Sequence, residues 1–316
     1  MAAEHLGAGL LGQVQEESMQ NPRDILGVER IDRLLELFRY LLTDLSPTAQ
    51  LDWPTETETE TETGHSTPKT RPAIIHLTSL SSSSFQSSPG KTSLLYHLTA
   101  LSLLPPARGG KGSTAVWIDT DGRFSAQRLS RVIASILSGR GQDRHQETTT
   151  DLSGAQETQS IISSSLAHLH VIKPSSSSAL LASLSQLPTY LLGLSTSRNR
   201  PLGLAILDSA NSFHHQDPHS SFSVPNDELT TSPWTSFATL TLHLSRLPIP
   251  KFPSSMALDD CLRDRSRRQQ AVAKGRVNVH VDTDTSKEHL RRMAAADFVI
   301  RVGIHGVEVE EEGEER

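Results

Sequence analysis

The sequence predicts an α/β protein with a mostly parallel central sheet, flanking helices and antiparallel strands towards the C-terminal end. Short apolar runs at residues 74–77, 115–118, 168–172 and 202–207 alternate with segments of helical spacing, a pattern typical of β-α-β units. In the last third, apolar residues alternate with polar ones, which predicts strands with one solvated face. A chain of 316 residues is long enough for two average domains or for one large α/β domain with appendages.

The core positions follow from the spacing of the apolar residues within each segment. Helical spacing predicts two amphipathic helices, and alternation predicts two strands with one buried face. The residues at these positions are Ile31, Leu34, Leu35, Leu37, Phe38, Leu41 and Leu42 on the first helix, Leu129, Val132, Ile133 and Ile136 on the second, and Leu240, Leu242, Leu244, Val277, Val279 and Val281 on the strands.

Composition excludes several classes of protein. A single cysteine, Cys261, excludes an intrachain disulfide and a cysteine-based zinc cluster. The chain contains no apolar run of the ~20 residues that a membrane span requires. Because Glu4 precedes any cation and no long apolar region follows, the N-terminus is not a secretory signal. We therefore expect a soluble intracellular protein with no membrane partner.

Changes in composition divide the chain into segments. We predict an N-terminal helical segment over 1–50, a Thr/Glu-rich flexible linker over 51–72, a core over 73–307 with an insertion loop at 139–160, and an acidic tail over 308–316. The net charge is −6. The glutamates of the linker and tail account for more than this value, so the remainder of the chain is slightly basic.

The most specific motif is Gly90-Lys91-Thr92-Ser93, which lies between a predicted strand and a predicted helix. A phosphate-binding loop requires a helix N-terminus, a lysine ammonium and a hydroxyl that ligates Mg²⁺. Lys91 and Thr92 supply the last two groups. The motif predicts a nucleotide site built around the start of this helix.

The segment before this motif departs from the full phosphate-loop pattern. Phe85 occupies the position of the first glycine, and Pro89 has no N–H to donate. Both changes weaken a loop that binds phosphate through converging backbone N–H groups.

Two aspartates at predicted strand ends complete the candidate site. Asp208 ends the strand 202–207 and could enter the Mg²⁺ shell of a bound nucleotide. The alternative is that it caps the next helix. Asp121 follows the strand 115–118 and could polarise an attacking water. The alternative is a turn-forming Asp-Gly pair with Gly122.

These residues occur in a recognisable context. The stretch Val116–Phe124, followed by Arg128-Leu129, resembles the second-strand signature of eukaryotic RecA-family recombinases, which carry Asp-Thr-Glu-Gly there. The stretch Lys91–Ala100 and the Leu-Asp-Ser of 207–209 narrow the resemblance to the recombinase paralogues. The similarity covers residues 1–20 and 73–210 well, and the last third loosely.

The resemblance implies a RecA-like P-loop core that binds ATP and Mg²⁺. Lys91 would contact the β/γ phosphates within the Gly90–Ser93 loop, Thr92 and Asp208 would lie in the Mg²⁺ shell, and Asp121 would replace the catalytic glutamate. Such proteins are subunits of nuclear hetero-complexes of recombinase paralogues. These complexes assist the recombinase filament in double-strand-break repair by homologous recombination. The implied partners are the other paralogues, the recombinase filament and single-stranded or branched DNA. Weak ATP binding and action through assembly are expected, with residues 1–20 as the docking segment.

Two rival functions remain open. The chain could be an active P-loop ATPase, stimulated by DNA, or a P-loop kinase, in which case it turns over ATP despite Phe85 and Pro89. It could also bind single-stranded DNA by itself through a cationic helix that carries Arg263, Arg267 and Arg268. The alternative for this helix is an ordinary solvated face.

Overall fold

The computed structural model describes residues 26–44, 73–79, 90–139, 152–193, 200–213, 238–247, 256–273, 275–281, 297–303 and 306–310. Its strands are β1 Ile75–Thr78, β2 Thr114–Asp119, β3 Leu169–Ile172, β4 Leu202–Asp208, β5 Leu240–Arg246, β6 Arg276–Val281, β7 Phe298–Gly303 and β8 Gly306–Glu310. Its helices are α1 Glu29–Asp44, α2 Lys91–Leu103, α3 Ala126–Gly139, α4 Leu152–Leu166, α5 Ser177–Gly193 and α6 Leu258–Ala273, with a short 3₁₀ helix at Pro106–Arg108. None of the helices within these ranges is long and apolar enough to cross a membrane.

The first sheet has three parallel strands in the order β3-β2-β4. Every residue of β2 is buried, because this strand lies in the middle and is covered on both faces. Trp117, on one face of β2, packs with residues of α2 and α3. Ile118, on the other face, packs with Leu180 of α5. This arrangement explains why β2 reads as a continuous apolar run.

The second sheet has five strands in the order β1-β5-β6-β7-β8. The β1–β5 pair is parallel, and the other three pairs are antiparallel. The alternating residues predicted for the core are all buried on the inner face: Leu240, Leu242, Leu244, Val277, Val279 and Val281. The predicted α/β class, with parallel strands first and antiparallel strands last, is confirmed, although the strands form two sheets in the described residues.

Helix α2 is the centre of the molecule. Leu94, Leu98 and Leu101 face the five-stranded sheet and α1, whereas Tyr96 and Leu103 face the three-stranded sheet. Because apolar side chains surround the helix, its apolar residues show no single stripe. Partly buried Leu204 of β4 contacts both core clusters, so the two sheets share one continuous interior.

The amphipathic helices were predicted well. Ile31, Leu34 and Leu35 of α1 are buried against the five-stranded sheet, and the α3 positions at core spacing are buried or half-buried. The side chains of the other four predicted α1 positions, Leu37, Phe38, Leu41 and Leu42, are not described. The rest of the predicted N-terminal segment, outside residues 26–44, and the linker 51–72 lie outside the described residues.

The structure corrects the boundary of the predicted insertion loop. Residues 152–160, which were expected in that loop, belong to the first turns of α4. The polar composition of these turns hid a helix whose apolar contacts come later, from Ile161, buried Ile162 and Leu166. Residues 140–151 lie outside the described part of the chain.

The structure also moves the start of the predicted acidic tail. Residues 308–310 belong to β8 and not to a tail. The alternation Val307-Glu308-Val309-Glu310 directs the valines inward, and the Glu310 carboxylate forms ion pairs with Arg276 at 2.7 Å and Arg301 at 3.3 Å. Only residues 311–316 remain in the acidic tail, and they lie outside the described residues.

Candidate nucleotide-binding site

The phosphate-loop glycine begins α2 in a conformation that favours glycine. Gly90 has φ 89°, in the left-handed region. A Cβ atom at this position would lie 3.3 Å from the side chains of both Val277 and Val302. Among the described residues no side chain caps the helix at Gly90, so an anion could reach the first N–H groups of α2.

Lys91 and Asp208 lie close enough for their charges to interact, although 116 residues lie between them in the sequence. The Lys91 side chain is half-buried, and burial lowers its pKa, while the Asp208 carboxylate acts in the opposite direction. Thr92 and Ser93 follow in the first turn of α2. The structure therefore brings together the lysine and the strand-end carboxylate that the sequence nominated.

The surroundings of the Asp208 carboxylate destabilise its charged form. Burial raises its pKa, and the carboxylates of Asp119 and Asp121 add to this effect. Lys91 and Arg123 lower the pKa, without cancelling the other contributions. A divalent cation at this point would relieve the repulsion among the three carboxylates.

Asp119 is a functional position that the sequence reasoning missed. Its buried carboxylate accepts hydrogen bonds from the backbone N–H groups of Arg123 and Phe124, both at 3.0 Å. The Lys173 ammonium, at the end of β3, lies 3.6 Å from the same carboxylate. Asp119 thus shapes the turn after β2. The only local signal was an aspartate at the start of an Asp-Thr-Asp-Gly turn, where Asx-type bonds are common.

Asp121 and the end of β4 are directly connected. The Ser209 hydroxyl donates a hydrogen bond to the Asp121 carboxylate at 2.6 Å. Beside it, the Thr120 hydroxyl lies within hydrogen-bond distance of the carbonyl oxygens of Asp208, at 2.6 Å, and Ser209, at 2.8 Å. The carboxyl ends of β2 and β4 are therefore tied by side chains as well as by their ladder.

A cluster of three aromatic rings packs beside the site. The rings of Tyr96, Trp117 and Phe124 lie within 4.9 to 5.7 Å of one another, measured between centroids. The Arg128 guanidinium lies 4.7 Å from the centroid of the Tyr96 ring and donates to the Ser93 hydroxyl at 2.7 Å. This cluster joins β2 and the start of α3 to the first turns of α2.

The remaining predicted positions are only partly described. Phe85, Pro89 and the docking segment 1–20 lie outside the described residues. The exposed Arg263 of α6 forms a 3.5 Å ion pair with Asp260, whereas the side chains of Arg267 and Arg268 are not described. DNA contact by these arginines therefore stays a prediction. Among the described residues, no group of three His, Cys, Asp or Glu side chains is arranged to hold a metal ion.

Comparison with known proteins bears on the motifs that surround this site. No family model matches the chain. Over 129 residues it is 35% identical to the mouse (Mus musculus) DNA repair protein XRCC2. The chain resembles XRCC2. The match covers 40% of this chain and 38% of the mouse protein, so the chain spans less than two fifths of that relative's length. The resemblance to a recombinase paralogue that the motifs indicated is confirmed by this similarity to XRCC2.

Proposed function

We propose that this chain is a recombinase-paralogue subunit that supports homologous recombination and double-strand-break repair in the nucleus. It acts by assembling with related paralogues, and it binds Mg-ATP weakly at the site formed by Gly90–Ser93 and Asp208. The similarity to a mouse DNA repair protein supports this proposal. The observation that carries the assembly role is an exposed apolar stripe on α5.

This stripe consists of three leucines on the outer side of α5. Leu181, Leu184 and Leu192 are 67%, 40% and 77% exposed. Their spacing of 3 and 8 residues places them along one side of the helix. Leu180, one residue before Leu181, is buried beneath the helix in a cluster with Val116, Ile118 and Phe213. Exposed leucines grouped in this way are typical of a protein interface.

An edge strand lies beside the same face of the molecule. Within the described residues, β3 pairs with β2 on one side only, and Val171 of β3 is partly exposed. A free strand edge next to an apolar helix can accept an extended segment of another chain. The partner that fits is an extended segment of a related paralogue, which would pair with β3 and place apolar side chains on the leucines of α5.

The test is co-purification of the full chain with each related recombinase paralogue from the same cell. We expect the double variant Leu181→Asp/Leu192→Asp to lose the partner while its thermal unfolding stays close to wild type, because both side chains are exposed. Leu258→Asp on α6 is the matched control, since Leu258 is 74% exposed. Partner recovery that is unchanged in the double variant, or lost equally in the control, would contradict the assembly face.

One observation favours the rival reading as an active P-loop ATPase or kinase. Lys91 and Asp208 are close enough to affect each other's pKa, and P-loop enzymes use a lysine and a strand-end aspartate around the phosphates and Mg²⁺ of one nucleotide. Mg²⁺-dependent turnover by the purified chain, abolished in Lys91→Ala, would establish this rival. Binding without turnover supports the assembly subunit.

A further inference from the structure

The hydrogen bonds at the ends of β2 and β4 give Asp121 a role other than that of a catalytic base. We infer that Ser209 holds the Asp121 carboxylate as a brace between the two strand ends, so that Asp121 is a positioning residue for Asp208. This inference rests on the proposed ATP site for its functional consequence. The brace itself is a property of the folded chain and can be tested without nucleotide.

The first support is the geometry of the bond. The 2.6 Å separation between Ser209 Oγ and Asp121 Oδ2 is that of a charge-assisted hydrogen bond from a hydroxyl to a carboxylate. The Arg123 guanidinium lies 3.9 Å from the same oxygen. One carboxylate oxygen is therefore engaged from two directions, and a short aspartate held in this way is poorly placed to take a proton from water.

The second support is the backbone of Ser209. This serine has φ 68°, and it is the only residue other than glycine with positive φ in the described part of the chain. Serine in the left-handed region is strained by about 1 kcal/mol, and such a conformation persists only where neighbouring contacts enforce it. Here Thr120 contacts the Ser209 carbonyl oxygen and Asp121 accepts from the Ser209 hydroxyl. The residue is thus clamped from the β2 side at both its main chain and its side chain.

The third support is the division of labour among the three carboxylates. Asp119 accepts two backbone hydrogen bonds and lies beside Lys173, so it serves the turn after β2. Asp121 is engaged by Ser209. Asp208 is held through its main chain, because the Thr120 hydroxyl lies 2.6 Å from its carbonyl oxygen. The brace sets the position of Asp208 through the adjacent residue Ser209.

The brace is tested first by thermal unfolding of the full chain without nucleotide. Asp121→Ala and Ser209→Ala should each lower Tm by about 3–6 °C, and the double variant should fall no further than the worse single variant. Asp121→Asn, whose amide oxygen still accepts from Ser209, should stay within about 2 °C of wild type. Ser209→Gly removes the hydroxyl but adopts φ 68° without strain, so this variant remains folded if Ser209→Ala does not. Additive shifts in the double variant, or Tm values that do not change, would overturn the brace.

The functional consequence is tested by Mg-ATP binding and turnover. Ser209→Ala and Asp121→Ala should each reduce the gain in ATP affinity that Mg²⁺ provides by about threefold or more, whereas ATP affinity measured in EDTA should not change. Asp121→Asn keeps the acceptor for Ser209 but loses a negative charge near Asp208, so it should retain more of the Mg²⁺ gain than Asp121→Ala does. A tenfold loss of turnover in Asp121→Asn, with normal turnover in Ser209→Ala, would make Asp121 the base and overturn the inference. If wild type binds no Mg-ATP, the proposed nucleotide site fails, and the unfolding experiment still decides on the brace.

Discussion

The Tyr96 hydroxyl accepts a hydrogen bond from the backbone N–H of Ser125 at 2.6 Å. Tyr96 lies in the middle of α2, and Ser125 directly precedes α3, where its hydroxyl caps the helix by accepting from the Arg128 N–H at 3.2 Å. Burial raises the pKa of Tyr96, so the phenol stays protonated. Helix α2 and the start of α3 are thus joined by a partly buried hydrogen bond inside an aromatic cluster.

Replacement of Tyr96 by phenylalanine should destabilise the chain without loss of packing volume. The ring contacts with Trp117 and Phe124 would remain, but the Ser125 N–H would lose its partner, at a cost of about 1–2 kcal/mol in the free energy of unfolding. The measurement is denaturant unfolding followed by circular dichroism. Tyr190→Phe is the matched control, because its hydroxyl lies on an exposed surface, 3.3 Å from His170 Nδ1. Equal losses in the two variants would show that the Tyr96 hydroxyl has no special role.

Lys91→Ala should lower the affinity for Mg-ATP by at least about tenfold, because it removes the only cation at the start of α2 that the motif supplies for phosphate. The side chain is half-buried beside Asp208, so its loss cannot be replaced by a flexible surface lysine. Isothermal titration with Mg-ATP measures the change. Arg131→Ala, on the exposed side of α3, is the control and should bind as wild type does. Unchanged binding in Lys91→Ala would place nucleotide elsewhere or exclude it.

Asp208→Asn should weaken Mg-ATP binding but raise Tm at pH 7, by about 1–3 °C. Burial, with help from Asp119 and Asp121, raises the pKa of Asp208 in the folded state. A raised pKa means that the proton stabilises the folded chain below the pKa of the unfolded state, and that this stabilisation is lost as pH rises through the folded pKa.

The difference in Tm between wild type and Asp208→Asn should therefore shrink as pH falls from 7 through the raised pKa of Asp208, because the wild-type carboxylate takes up a proton. Thermal scans from pH 7 to pH 4 follow this trend. Asp260→Asn, on exposed α6, controls for removal of a negative charge and should show no such dependence. A lower Tm for Asp208→Asn at pH 7 would mean that the Lys91 interaction outweighs burial.

Much of the fold could be predicted because the apolar patterns are strong and local. The unbroken run of β2 indicated a strand covered on both faces, and the alternation in β5 and β6 indicated antiparallel strands with one polar face. Helix α4 was partly missed because its first two turns carry polar side chains and a glycine, and its contact with the core begins only at Ile161 and Ile162. Local sequence patterns reveal buried surfaces, and the first two turns of α4 bury little surface.

The candidate site was predictable only in its strand-end and helix-start residues. Lys91, Asp208 and Asp121 stand at positions where parallel strands bring their carboxyl ends together. The bond between Asp121 and Ser209 joins residues 88 positions apart, and the backbone conformation of Ser209 has no signature in its own sequence. The role of Asp119 was likewise hidden, since its hydrogen bonds depend on the turn that it stabilises.

The N-terminal helix offers a final prediction, because it belongs to the same core as the rest of the chain. Ile31, Leu34 and Leu35 of α1 pack with α2 and the inner face of the five-stranded sheet. Leu35→Ala should therefore lower the free energy of unfolding of the whole chain by about 2–4 kcal/mol. Glu36→Ala, on the exposed side of the same helix, should change it by less than about 0.5 kcal/mol.

The decisive measurement is whether one cooperative transition shifts. If α1 shares the core, two signals should give the same lowered midpoint in Leu35→Ala. They are far-ultraviolet circular dichroism and the fluorescence of Trp117, which is buried in β2 and is read in a Trp53→Phe/Trp234→Phe background because the chain has three tryptophans. A transition that separates into two, with the Trp117 signal unchanged, would mean that residues 26–44 unfold independently of the two sheets.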